Sequence, residues 1–210
     1  MPKSEMQMDS LAGRVIVVTG AGGGIGRAAV LELARRGAKI VVADLDAKAA
    51  SRTVECVTEL GMGATADFFQ VDVTNEVSVD RMVSSAVARY GRIDGAINAA
   101  GVEGERAPLH QSSAANFDRV VGTNMRGTFL CMRAGIAQMI SQPPPAAPAT
   151  RNDAPIDRNN YCVVNVASTA GQARPPRATS ASEDCHSATP PLHRRLGWPS
   201  SARTVRPSMA

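Results

Sequence analysis

Five glycines between Gly20 and Gly26 form the group in this sequence best suited to hold a phosphate. They follow a run of β-branched residues, Val15–Val18, and precede a stretch of helix-forming composition, 27–36. Glycine has no Cβ, so the backbone of such a turn can approach a ligand closely. The N-terminus of the following helix attracts negative charge. The pattern therefore predicts a strand, a turn and a helix that bind the pyrophosphate of a dinucleotide.

Asp44 is the acidic residue expected to complete that site. It stands 20 residues after Gly24, at the end of a second apolar run. A carboxylate there can accept hydrogen bonds from the ribose hydroxyls of an adenosine, and it repels the additional phosphate of NADP. NAD is therefore favoured over NADP. Asp44 could instead cap the next helix, a role for which Asp46 is equally suited.

The elements that must position these residues alternate along the chain. The predicted strands cover 15–18, 38–44, 68–73, 93–101 and 161–168, and the predicted helices cover 27–36, 47–60, 77–90 and 113–140. This alternation predicts parallel βαβ units and a doubly wound, Rossmann-like α/β sheet over residues 11–170, truncated after its fifth strand. For the last helix we expect these inward positions: Phe117, Val120, Val121, Phe129, Met132 and Ile136.

Two segments break the alternation. Residues 141–160 contain five of the 13 prolines, which predicts an irregular insertion loop. Residues 171–210 contain six more prolines and no helical or strand period, which predicts an irregular, disordered basic tail.

Charge and cysteine content narrow the class of protein. Residues 1–170 contain 17 basic and 17 acidic side chains, so the net charge of +4 comes from 171–210 and gives no basis for nucleic-acid binding. No apolar run reaches the length of a membrane span. The four cysteines lack metal-ligand spacing, so we expect free thiols, no metal and a cytoplasmic location.

The glycine spacing decides which dinucleotide-binding family the chain resembles. The common G-x-G-x-x-G pattern does not fit, whereas Thr19-Gly20-x-x-x-Gly24-Ile25-Gly26 is similar to the cofactor loop of the short-chain dehydrogenase/reductase family. The resemblance covers residues 11–172. Its other motifs appear in the family's order: Asp72-Val73, Asn98-Ala99-Ala100-Gly101, Asn124 and Ser168.

The resemblance implies hydride transfer between a nicotinamide and the alcohol or ketone carbon of a small molecule. In family terms, Ser168 polarises the substrate oxygen and Asn124 organises a water for proton relay. Together with Asp44, the resemblance assigns cofactor binding to Thr19, Gly20, Gly24, Ile25, Gly26, Asp72, Val73, Asn98, Ala99 and Gly101.

The family's proton donor is a tyrosine followed four positions later by a lysine, which stabilises the phenolate. That pair is absent here. Tyr90 and Tyr161 are followed by Asp94 and Asn165, and the lysines are Lys3, Lys39 and Lys48. We therefore expect an NAD(P)-dependent oxidoreductase that is impaired in this chain. The alternative is a non-catalytic dinucleotide-binding or protein-interaction remnant.

The resemblance also bears on assembly and on the origin of the tail. Family members associate through the long helix after the fourth strand and the tyrosine-bearing helix; without the second, we expect no homo-oligomer. The abrupt change in composition after Ser168 motivates the hypothesis that the tail is read in a wrong frame or through an intron.

Overall fold

The computed structural model describes residues 11–61, 65–143 and 161–168, all within one structural unit. Most of the predicted insertion loop (144–160) and all of the predicted tail lie outside the described residues. The elements follow in this order: β1 (Val15–Thr19), α1 (Gly24–Arg35), β2 (Lys39–Asp44), α2 (Ala47–Glu59), β3 (Thr65–Gln70), α3 (Glu76–Tyr90), β4 (Gly95–Asn98), a 3₁₀ turn (Leu109–Gln111), α4 (Ala114–Val121), a π-helical segment (Gly122–Gly127), α5 (Thr128–Ser141) and β5 (Cys162–Asn165).

The five strands form one parallel sheet in the order β3-β2-β1-β4-β5. The central strand is β1, where Val17 lies opposite Val41 of β2 and Ala96 of β4. The chain first moves outward from β1 to β3 and then returns to build β4 and β5 on the other side. This order confirms the doubly wound, Rossmann-like α/β fold. In such sheets ligands bind at the carboxyl ends of the strands where the order reverses, which is here between β1 and β4.

Both faces of the central strands are buried, as their continuous apolar runs predict. Val17 and Val41 belong to a core that includes residues of α3 and α5 on one face of the sheet. Val18, Ile40 and Val42 belong to a second core with α1 and α2 on the other face. Because consecutive residues of a strand point to opposite faces, each run of valines requires a helical layer on both sides.

The third strand begins and ends earlier than predicted, at Thr65–Gln70 instead of 68–73. Asp72 consequently lies in the loop after the strand. Its carboxylate accepts hydrogen bonds from the backbone amide of Thr74, at 2.9 Å, and from the Thr74 hydroxyl, at 2.7 Å. An aspartate that bonds its own backbone two residues ahead favours a turn over a strand, which explains the shift.

The helix predicted over 113–140 is divided by the π-helical segment Gly122–Gly127. Three residues predicted to face inward, Phe117, Phe129 and Ile136, are 63, 53 and 41% exposed. The prediction of one inward face was wrong. A π-helical turn adds a residue and rotates the side chains that follow it, among them Phe129 and Ile136. Phe117 precedes that segment, and the buried residue of its helix is Asn116. The buried residues of α5 are Leu130, Cys131, Gly135 and Met139.

Candidate functional site

A cavity of about 400 Å³ opens at the carboxyl ends of β1, β2 and β4. Its volume lies within the range of small-molecule sites. Five of the predicted cofactor residues line it: Gly20, Asp44, Asp72, Val73 and Gly101. The other lining residues are Ala43, Leu45, Asp46, Val71, Thr74, Ala100, Val102 and Thr123.

Close backbone packing explains two of the glycines beside the cavity. Gly20 has a φ of +66°, and a Cβ there would lie 2.7 Å from the backbone of Ala100. A Cβ on Gly26 would lie 2.1 Å from the carbonyl oxygen of Gly20, so α1 can approach the end of β1 only if position 26 has no side chain. These contacts hold the turn against the sheet, with its backbone facing the cavity at Gly20.

The N-terminus of α1 differs from those of the three α-helices that follow it. Asp46, Asn75 and Ser113 each cap a helix by accepting backbone N–H groups of its first turn. In α1 the cap residue is Gly23, no side chain caps the helix, and no acidic residue occupies its first turn. Amides left without a side-chain cap, at the positive end of the helix dipole, form a site for an anion. The residues present therefore fit a phosphate-bearing cofactor.

Asp44 lies at the end of β2, between the glycine turn and α2. One carboxylate oxygen accepts the backbone amide of Gly22 at 2.8 Å, and the other accepts the amide of Asp46 at 2.9 Å. The helix-capping role belongs to Asp46, which accepts the amides of Lys48 and Ala49. A carboxylate has about four acceptor positions, so Asp44 retains capacity for two hydroxyl donors from the cavity.

The loop after β3 forms part of the cavity wall. Asp72 and Val73 both line the cavity. Val73 is buried, and a Cβ on Gly127 would lie 2.8 Å from its Cγ2, so the π-helical segment packs closely behind it. The amide of Asp72 donates to the hydroxyl of Ser78 at 3.1 Å, which fastens the loop to α3.

Several predicted cofactor residues support the cavity without lining it. Thr19 is buried, and its carbonyl and hydroxyl oxygens accept the amides of Ala99 and Ala100 at 3.2 and 3.4 Å. Asn98 is 4% exposed and donates to the side-chain oxygen of Asn165 at 2.8 Å. These bonds join the ends of β1, β4 and β5. The cavity lining also lacks three predicted cofactor residues of the glycine turn: Gly24, Ile25 and Gly26.

The two predicted catalytic residues lie on the β4–β5 side. The side-chain amide of Asn124 pairs with the backbone of Val102: its oxygen accepts at 2.8 Å and its nitrogen donates at 3.0 Å. Asn124 thereby fastens the loop after β4 to the π-helical segment. Ser168 is exposed beyond the end of β5 and is not part of the cavity lining.

Comparison with known proteins identifies the family. The model of the family described as short chain dehydrogenase matches residues 14–182 of this sequence, which is most of the chain. The chain belongs to the short chain dehydrogenase family. The match includes the glycine turn, Asp44, Asn124 and Ser168.

Relatives in this family are oxidoreductases by name. Levodione reductase of Leifsonia aquatica is 39% identical over 117 residues, which cover 56% of this chain and 44% of the relative. The 2,5-dichloro-2,5-cyclohexadiene-1,4-diol dehydrogenase of Sphingobium indicum is 37% identical over 135 residues, which cover 64% of this chain and 52% of the relative. The chain thus spans about half the length of these curated relatives.

Solved structures agree with the family assignment. The crystal structure of levodione reductase matches with a TM-score of 0.68 and 32% identity, covering 78% of this chain and 57% of the other. The structure of NAD⁺-bound xylitol dehydrogenase matches with a TM-score of 0.67 and 35% identity, covering 79% and 57%.

Neither of the two tyrosines of this short chain dehydrogenase family member lies at the cavity. Tyr90, at the end of α3, donates to Asp67 of β3 at 2.6 Å, and burial together with this bond raises the pKa of Tyr90 well above its usual value. Tyr161 stands before β5, at the opposite edge of the sheet, where its hydroxyl lies 3.3 and 3.1 Å from the carbonyl oxygens of Gln142 and Pro143. The described part of the chain therefore places no phenol where a substrate oxygen could meet it.

The sequence patterns did not predict three polar residues that support the site. Arg27 and Thr53 contact the glycine turn from α1 and α2, and Asn165 pairs with Asn98 across β4 and β5. Of the three, only Arg27 could have been predicted to contact the glycine turn, because it directly follows the glycine cluster in the sequence. The pairing of the two asparagines depends on strand register, which a single sequence does not reveal.

Other features of the described residues bear on the class of protein. None of the helices in those ranges combines the length and the apolar character that a bilayer crossing requires. Nor do those ranges hold a group of three metal-ligating side chains. Cys56, Cys131 and Cys162 are free thiols. Burial raises the pKa of Cys131 to about 11, so this thiol is unreactive at neutral pH; Cys185 lies outside the described residues.

Proposed function

We propose that this chain binds NAD at the cavity between β1, β2 and β4, as the cofactor half of an oxidoreductase acting on an alcohol or ketone. The observation that carries the proposal is the uncapped N-terminus of α1 beside Asp44, at the carboxyl edge of a parallel sheet. The cavity volume and the NAD⁺-bound structural relative support it.

Different residues of the chain would bind different parts of the cofactor. The turn from Gly20 to Gly26 would meet the pyrophosphate, Asp44 would accept the ribose hydroxyls, and Asp72 with Val73 would border the adenine. Thr19, Asn98 and Ala99 hold the strand ends beneath the cofactor, and Gly101 borders it. NAD, when bound, supplies an acceptor for hydride.

The nicotinamide end is where we propose that this chain is impaired. Ser168 would polarise a substrate oxygen and Asn124 would organise a water for proton relay, but the 210 residues contain no Tyr-x-x-x-Lys pair. Losing a general acid costs about 10²–10⁴ in rate. The chain is therefore expected to bind the cofactor and to turn over little or no substrate.

Two measurements test the proposal. Titration calorimetry with NAD and NADH tests cofactor binding, and an absorbance assay at 340 nm on a panel of alcohols and ketones tests turnover. Binding without turnover is the expected result. Measurable turnover would refute the impairment, and the absence of binding would refute the proposal as a whole.

The choice of NAD over NADP depends on the charge of Asp44. Asp44→Asn keeps an oxygen for the amide of Gly22 but removes the charge that repels a ribose phosphate. We expect the ratio of NAD to NADP affinity to fall about tenfold, as one well-placed charged hydrogen bond allows. Asp80→Asn, on α3 outside the cavity lining, is the matched control and should leave the ratio unchanged.

A second candidate is a non-catalytic dinucleotide-binding or protein-interaction remnant that uses the basic residues of 171–210 for contacts. The missing Tyr-x-x-x-Lys pair favours it. Binding of NAD without turnover, combined with a partner lost on deletion of 171–210, would distinguish it from an impaired enzyme.

We propose further that the nucleotide-binding domain covers residues 11–170 and that 171–210 form an irregular tail. Limited proteolysis should then leave a fragment with ends near those positions. We also propose a cytoplasmic protein that does not form homo-oligomers, which cell fractionation and sedimentation analysis would check.

The origin of the tail is testable at the level of the gene. We propose that the coding DNA beyond Ser168 contains, in another frame or after an intron, a helix with Tyr-x-x-x-Lys. If no alternative frame of that DNA encodes the pair, the hypothesis fails.

A further inference from the structure

Thr53 connects α2 to the glycine turn from inside the protein. Its side chain is 0% exposed, and its hydroxyl lies 2.9 Å from the carbonyl oxygen of Ala21. The same hydroxyl lies 3.2 Å from the carbonyl of Ala49, one turn back in its own helix. A helical threonine ordinarily uses that local carbonyl, so the shorter contact to Ala21 is the unusual one.

Arg27 contacts the same hydroxyl from α1. Its Nε donates to the Thr53 oxygen at 3.1 Å. A hydroxyl has a single hydrogen, and a cation that donates to its oxygen makes that hydrogen a better donor to the carbonyl of Ala21. The other end of the same guanidinium, Nη2, donates to the carbonyl of Gly22.

The peptide groups around Gly22 are therefore held from both sides. Asp44 accepts the amide of Gly22 at 2.8 Å, while Arg27 and Thr53 bind the carbonyls of Gly22 and Ala21. A Cβ on Gly22 would lie 2.7 Å from that of Ala49, so α2 is packed directly against the turn.

We propose that Arg27 and Thr53 are positioning residues, which hold the glycine turn in the shape that receives a pyrophosphate without touching the ligand themselves. The inference rests on the proposed dinucleotide site. Neither residue lines the cavity. Their effect is expected on phosphate-bearing ligands and not on the nucleoside, because they bond the turn and leave the walls formed by Asp72, Val73 and Thr123 alone.

The test compares Thr53→Val with Thr53→Ser, using ADP and adenosine as ligands in titration calorimetry of the full chain. Valine has nearly the shape of threonine but cannot bond Ala21 or Arg27, whereas serine keeps the hydroxyl. We expect Thr53→Val to weaken ADP binding about tenfold, the effect of one hydrogen bond in the turn. Adenosine affinity should change by less than about twofold, and Thr53→Ser should bind ADP like the wild type.

A second variant covers the case in which Thr53→Val does not fold. Arg27→Lys keeps the charge at a partly exposed position, but a single ammonium lacks the fork that reaches both the Gly22 carbonyl and the Thr53 hydroxyl. It should also weaken ADP selectively. Equal weakening of ADP and adenosine, or no weakening of either, would overturn the positioning role. A wild-type chain that binds neither ligand would instead overturn the proposed site itself.

Discussion

The two halves of the sheet are built differently. In the nucleotide half (β1–β3 with α1 and α2), β2 lies between two strands, and Ile40, Val41, Val42 and Ala43 are fully buried. In the serine half (β4, β5 and α4 to α5), the described residues pair β5 with β4 alone, and Val164 of β5 is 45% exposed. The glycine turn and Asp44 thus follow strands that are paired on both sides, whereas Ser168 follows a strand that the described residues pair on one side.

The two halves also differ in the bonds that hold them. The turn at Gly20–Gly26 is held by Asp44, Arg27 and Thr53, all within the nucleotide half. The ends of β4 and β5 are joined by one side-chain pair, Asn98 and Asn165. Three experiments test how independent the two halves are.

The largest effect is expected in the glycine turn. Gly26→Ala places a Cβ 2.1 Å from the carbonyl oxygen of Gly20, so α1 or β1 must move. We expect the free energy of unfolding to fall by about 2–3 kcal/mol and NAD binding to be lost, as measured by denaturant unfolding and calorimetry. Gly23→Ala is the matched control for stability, because Gly23 has extended backbone and no atom within 4 Å of a built Cβ. Equal stability of the two variants would contradict the close packing of α1 on β1.

A smaller effect is expected where β5 joins the sheet. Asn98→Ala, Asn165→Ala and the double variant form a cycle that measures the coupling between the two amides. We expect a coupling energy of about 1 kcal/mol in the free energy of unfolding, the usual value of one hydrogen bond. Asn165→Ala should leave ADP affinity unchanged. If that variant abolished ADP binding, the two halves would not be independent.

The smallest effect concerns the outer edge of the nucleotide half, where Tyr90 and Arg89 bond Asp67 of β3. Burial opposes ionisation of Asp67, but these hydrogen bonds outweigh it and hold its pKa below the usual value. A lowered pKa in the folded state stabilises the protein above the unfolded pKa, near 4, and this contribution is lost as the pH falls through the folded pKa.

Tyr90→Phe removes one of those hydrogen bonds and should lower the melting temperature slightly at pH 7, by the equivalent of about 1 kcal/mol or less. The difference from the wild type should shrink below about pH 4, as thermal unfolding across pH 3–7 would show. Ser84→Ala, on the same helix away from Asp67, serves as the control. A difference that stays constant with pH would mean that the Asp67 charge plays no part.

Much of the fold follows from local patterns. The valine runs, the glycine turn and the alternation of strand and helix predict the parallel sheet, because each signal lies within a few neighbouring residues. The limits of β3 and the buried face of α5 did not follow. Asp72 turns the chain through local bonds to Thr74, and the π-helical segment rotates α5. The apolar periodicity of the sequence records neither feature.

The sequence by itself determined the glycine turn between β1 and α1, the carboxylate at Asp44 and the absence of Tyr-x-x-x-Lys, because these are matters of residue type and spacing along the chain. Only the tertiary structure decided that Asp46, and not Asp44, caps α2, that Asn98 pairs with Asn165, and that Arg27 and Thr53 hold the turn. The Asp46 cap is a local contact. The other contacts join residues that are distant in sequence, and parallel strands with their crossover helices bring them together only once the sheet has formed.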